Sequence, residues 1–237
     1  MAQDVIDNHS IRLVDRVGEF LGDGASIARF AVGNLFLDGL IPLRPHFLRL
    51  DEIYFLIGNV VNRLSERRIR EETDSRARGG ADLVRDQADV ASTLRMEHDR
   101  FSVETSLNLR NTIAGMRRDD ETRALLLTLA ARIADGGLKV RLYPRGRIHA
   151  KVALVSYPSI INECGIRSSH APSRDVAIVG SSNLTLAASP QPTEMNIVVR
   201  SGEALDDLNR WYTGLWDQGQ DFHRELFDEL GQSWALE

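Results

Sequence analysis

Three short groups of residues in the C-terminal half carry side chains suited to chemistry: His149-x-Lys151, Gly180-Ser181-Ser182-Asn183 and Glu194. Together they offer an imidazole, an ammonium, hydroxyls, an amide and a carboxylate, the mixture needed to hold a phosphodiester and break it. Each group lies in or beside an apolar, β-like run. Side chains alternate faces along a strand, so a strand over 149–155 is expected to project His149 and Lys151 from one face. Val152 and Leu154 would then share the opposite face with Ala150 and anchor the strand in the core. Gly180 follows the run Val176-Ala177-Ile178-Val179 and permits a sharp turn. The small polar residues after it can offer donors to phosphoryl oxygens. Glu194 stands eleven positions after Asn183, where a carboxylate could hold a histidine ring in one tautomer or orientation.

The elements that must position these groups are legible in outline. Residues 5–20 place apolar side chains (Ile6, Leu13, Val17, Phe20) at helical spacing, before a break at Gly22-Asp23-Gly24. Residues 27–33 read as a buried strand, 35–48 as a helix interrupted near Pro42 and Pro45, and 53–58 as a second strand. From about 62 to 134 the charge is dense and mixed and prolines are absent, which predicts two or three helices with a break around Gly79-Gly80. The last, 121–134, stops at Gly136-Gly137. Strands are then expected over 138–143, 149–155, 175–179 and 196–199, and helix over 204–234, which holds Trp211, Trp216 and Trp234. Strands mixed with long helices and few tight hairpins predict an α/β sandwich.

Composition sets outer bounds. The chain has 237 residues, 43% of them hydrophobic, enough for the core of one large domain over 1–237 with a helical insertion at about 62–134. It lacks a run of about 18 apolar residues, and its start lacks the basic and apolar regions of a signal peptide. A cytoplasmic, membrane-free protein is expected, which suits a single cysteine, Cys164. Cys and His spacing suggests no zinc site, and there is no Walker-type phosphate loop. A formal net charge of -5 gives no general attraction to nucleic acid, so any DNA-binding field must be local or supplied by a partner. The arginines between 67 and 78 alternate with carboxylates, the pattern of a solvated helix. His98 and His223 are expected to face solvent, and the tryptophans to pack.

The ordered set resembles the phospholipase D superfamily, and more closely the phospholipase D-like domain at the N-terminus of bacterial Swi/Snf-type helicases and in restriction-type nucleases. Supporting stretches are Ala28-Arg29-Phe30-Ala31-Val32-Gly33-Asn34, Phe55-Leu56-Ile57-Gly58-Asn59 and Gly180-Ser181-Ser182-Asn183-Leu184-Thr185. The resemblance runs from about residue 27 to 234. It is strongest over 149–199 and weakest over 62–134.

It implies a phospholipase D-like α/β sandwich with a mixed central sheet. Its activity would be metal-independent phosphodiester hydrolysis on DNA, without a cofactor. His149 would be the nucleophile that forms a phosphohistidine. Lys151 and Asn183 would bind the non-bridging oxygens, Ser181 or Ser182 would add a hydroxyl donor, and Glu194 would orient a histidine. A second histidine is needed as general acid. Two-lobed members of the family repeat the motif, whereas this chain has one His-x-Lys and no internal repeat. A homodimer with a composite site at its interface is therefore expected, together with a helicase domain beyond residue 237 or on another chain.

Two features depart from the family pattern. Ser156 stands where an acidic residue usually lies, five positions after the lysine, and residues 157–174, with Cys164 and His170, look inserted. They motivate the alternative of a catalytically inactive DNA-binding or dimerisation module.

Overall fold

In the computed structural model the described residues are 4–7, 11–58, 87–144, 148–158, 174–185 and 194–236, with backbone alone over 87–100. Their eight strands form one mixed sheet: β1 (Val5–Ile6), β2 (Ile27–Val32), β3 (Glu52–Ile57), β4 (Leu138–Leu142), β5 (Lys151–Ser156), β6 (Val176–Gly180), β7 (Asn196–Val199) and β8 (Gln220–Asp221), in the order β1-β7-β6-β5-β2-β3-β4-β8. β2, β3 and β4 are mutually parallel, and β5 joins them antiparallel to β2. β6 and β7 continue antiparallel from β5.

The expected α/β sandwich is what forms. Alternation along the strands supplies both faces of the sheet. Phe30, Phe55, Val140, Ala153 and Ile178 face one core, and Ala31, Leu56, Leu154 and Ala177 face the other. The first core is covered by α1 (Leu13–Gly22), a 3-10 turn (Asp38–Leu43), α2 (Arg44–Phe47), α3 (Gln87–Gly115), α4 (Asp120–Ala134) and α6 (His223–Gly231). Phe30 and Phe55 stack at its centre, ring centroids 4.8 Å apart, with Phe47 edge-on to Phe55. The second core is covered by α5 (Glu203–Trp216), whose Leu205 and Tyr212 are buried on it.

Several expectations are corrected. Residues 5–20 are not one helix: Val5 and Ile6 pair with Ile197 and Asn196, and α1 begins only at Leu13. The periodicity that suggested one helix combines a strand residue, Ile6, with a helical face. Residues 38–47 form a 3-10 turn around Pro42 and a single α-turn, because proline supplies no N–H to a longer helix. Residues 203–231 are two helices separated by β8, whose Arg141↔Asp221 and Leu142↔Gln220 pairs give β4 a partner. The helix over 121–134 and its glycine stop form as expected: Asp119 caps the first turn by accepting from Thr122 N–H, and Gly136 has φ 77°. Arg132 donates to the carbonyls of Leu50 and Asp51, tying α4 to the loop before β3. The break at Gly79-Gly80, the arginine run, Cys164 and His170 lie outside the described residues, as does the side chain of His98. His223 is exposed.

Candidate functional site

The chemical groups gather at one end of the sheet, where the parallel strands β2 and β3 finish. Lys151 opens β5 and pairs with Gly180, the last residue of β6, which pairs in turn with Asn196, the first of β7. Two positions further along the same registers stand His149, Ser182 and Glu194. Three strands thus deliver their polar residues to one edge. Loops at such an edge are free to bind ligand while the strands hold them rigid.

His149 is not inside the strand, as expected from its sequence, but just ahead of it. The reason lies at Ile148. A β-carbon on Gly33 would stand 2.8 Å from the carbonyl oxygen of Ile148, and one on Gly58 would stand 2.7 Å from its nitrogen. Ile148 is therefore wedged, buried, over the ends of β2 and β3, and only glycine at 33 and 58 leaves room. The chain departs from the sheet there, and the imidazole of His149 is left exposed to solvent. Lys151 is half-buried. It shares a narrow crevice with Val32, Ser182 and Leu184, so the His149–Lys151 segment and the 180–185 turn meet.

That turn is held from three sides. Gly180 tolerates no side chain, because a β-carbon would lie 2.3 Å from the Met195 carbonyl oxygen and from Asn196 Oδ1. Asn196 Nδ2 donates to Ser182 Oγ at 2.6 Å, and Ser182 N–H donates back to Asn196 Oδ1 at 3.3 Å. Ser181 N–H donates to the Met195 carbonyl, and Met195 N–H to Ser181 Oγ. Beyond them Leu184 is buried against Gly39, at whose position a β-carbon would come 2.1 Å from the Leu184 carbonyl oxygen. Ser182 has no exposed surface, so its hydroxyl clamps the turn and cannot meet a ligand in solution. Ser181 is exposed, and Asn183 and Glu194 are half-buried. The arrangement offers an open imidazole, an ammonium, one hydroxyl, an amide and a carboxylate.

Asn196 is the site residue that spacing did not single out. Its signal was its place, a fully buried amide at the start of a strand opposite an obligatory glycine.

Ser156, the departure from the family pattern, ends β5, at the opposite end from Lys151. At about 3.3 Å per residue that separation is roughly 16 Å. Its hydroxyl accepts from Arg29 Nη1 at 3.0 Å, and Arg29 lies over the ring of Tyr54. No group of three His, Cys, Asp or Glu able to hold a metal occurs among the described residues. No described helix is long and apolar enough to cross a membrane.

No family model and no curated protein sequence matches the chain. Among solved structures, Nuc from Salmonella typhimurium, a phospholipase D family member, is similar at 13% identity, with a TM-score of 0.47 over 92% of this chain and 95% of that one. TrmBL2, an archaeal chromatin protein reported with a novel mode of DNA binding, is similar at 10% identity and a TM-score of 0.41. That likeness covers 93% of this chain and 54% of TrmBL2, so the chain spans about half its length.

Proposed function

We propose that the chain is a phospholipase D-like phosphodiesterase that cuts DNA without a metal ion. The observation that carries the reading is the convergence of His149, Lys151, Ser181, Asn183 and Glu194 on one strand-end edge, in the family's order. His149 Nε2 or Nδ1 would attack phosphorus and expel the leaving oxygen, and water would then hydrolyse the phosphohistidine. Lys151 and Asn183 would balance the charge on the non-bridging oxygens. Its exposure supports Ser181, rather than the buried Ser182, as the hydroxyl donor. Glu194 would orient a histidine.

The leaving oxygen needs an acid, and the sequence has one His-x-Lys, so the second imidazole would come from another copy. A sheet edge beside the site supports this. Val5 and Ile197 pair on the face of β1 and β7 that carries Val179, and with Met195 they leave side chains 45%, 46% and 55% exposed. Met195 lies between Glu194 and Asn196, so a copy docked here would reach the site. Such a dimer would serve a helicase-linked repair or restriction system.

The test is DNA cleavage in the presence of EDTA by wild-type protein and by His149→Ala. Wild-type cleavage that the variant loses is the expected result. Equal cleavage by both would remove His149 from the chemistry. DNA binding with no cleavage by either would instead favour the DNA-binding or dimerisation module.

A further inference from the structure

A cavity of about 550 Å³ opens between the ends of β2 and β3 and one face of α3. That volume lies in the range of small-molecule and base-binding pockets. Gly58 is on its wall and also packs against Ile148, the residue that precedes His149. The lining divides by chemistry. Phe36 and Phe101 supply aromatic surface, while Asn34, Glu104, Asn108 and Asn111 supply polar groups. Glu104, Asn108 and Asn111 recur at helical spacing and so lie along one face of α3. Among the described residues the wall carries no lysine or arginine and one carboxylate. A flat, neutral ring with hydrogen-bonding edges fits.

We infer that this cavity takes one unpaired base of the DNA strand being cut, next to the phosphate held at His149. The inference rests on the phosphodiesterase reading for the position of that phosphate. Stacking on phenylalanine is indifferent to base identity, because every base has a π face. The polar wall is not. A carboxylate accepts from an exocyclic amino group, and asparagine pairs with adjacent donor and acceptor atoms, as on adenine. Thymine presents a single N–H between two carbonyl oxygens, which a carboxylate repels. The cavity therefore favours cytosine and adenine over thymine, and an unpaired base over a paired one, whose hydrogen-bonding edge is already occupied.

Two assays separate this inference from the reading beneath it. Anisotropy of labelled single-stranded oligonucleotides on the His149→Ala protein measures the base pocket without turnover. Hydrolysis of bis(p-nitrophenyl) phosphate, a diester with no base, measures the reactive edge. The expected result is that dC and dA oligomers bind roughly tenfold more tightly than dT or abasic ones. Adding Glu104→Gln and Asn108→Leu should erase that preference while leaving abasic binding unchanged. The same two changes in the protein with His149 intact should leave diester hydrolysis unchanged. Both positions are solvent-accessible on a helix, so the variants should fold. Equal binding of dC, dT and abasic oligomers would overturn the pocket, as would a preference that survives both substitutions. A base preference without diester hydrolysis would uphold the pocket and sink the hydrolase.

Discussion

Asn196 shows how much of a site can depend on a residue that does no chemistry. Its amide satisfies both the N–H and the hydroxyl of a serine with no exposed surface, and this fixes the turn that presents Ser181 and Asn183. Asn196→Ala would remove two hydrogen bonds from a buried serine, at a cost of about 1–3 kcal/mol. A lower melting temperature is expected, with a fall in DNA cleavage larger than the loss of folded protein; unchanged turnover in the folded fraction would deny the residue a positioning role. Ser156 makes the opposite case. It sits at the far end of β5 against Arg29, so an aspartate there would pair with that guanidinium and lie far from Lys151. Ser156→Asp should leave cleavage within about twofold and change stability by no more than about 1 kcal/mol, as half-exposed ion pairs do. The order of site residues was legible because each belongs to a motif of fixed spacing. Asn196 was not, since the glycine that makes it essential lies sixteen positions earlier and meets it only through strand pairing.

At the scale of elements, runs of one period were readable and mixtures were not. β2 and β3 carry largely apolar stretches, β4 alternates apolar and basic residues, and α4 has a cap and a glycine stop, so their expected and observed limits agree within a residue or two. The first twenty residues deceived because Ile6 falls in phase with α1 by accident. The strand expected to hold His149 ends short because Ile148 must cross Gly33 and Gly58, a contact between distant segments that no local pattern announces. α2 brings its own test. The ring of His46 packs against Gly18 and Gly22 of α1, and its buried Nδ1 finds no hydrogen-bond partner among the described residues. Burial, and then the charge of Arg49, lower its pKa below 6.5. A base whose folded value is depressed gives stability that is whole above the unfolded value and is lost as pH falls through the folded one. Unfolding midpoints measured from about pH 7 down to about pH 5 should therefore decline. The decline should be shallower in His46→Gln. Equal slopes would mean that the ring is already accommodated in its charged form.

For the whole molecule, the single His-x-Lys makes assembly a requirement of the proposed chemistry. Val5, Met195 and Ile197 form the apolar edge beside the site, and a charge there should cost both assembly and activity. Ile197→Glu is expected to shift sedimentation from dimer to monomer and to lower cleavage at least about tenfold, while α-helical circular dichroism stays the same. A wild-type monomer with full activity would end the composite-site idea. The architecture itself was predictable from the alternation of strand and helix; the assembly was inferred only from what the sequence does not repeat.

The seam between β2 and β5 also has a consequence in time. Among the described residues it is the one strand pairing that joins the parallel β2–β4 group to the antiparallel β5–β7 group, and beside it Ser26 bonds to Ser156, 130 positions apart. During synthesis β2 is complete more than a hundred residues before β5 emerges from the ribosome, and its flank stays open meanwhile. An open flank invites pairing with other chains, and such distant contacts form slowly. Yield of folded protein should therefore depend on how quickly, and at what crowding, the residues after 150 arrive. The candidate edge draws on β5, β6 and β7, all of which follow residue 150, so a nascent chain that stops before β7 would lack part of it.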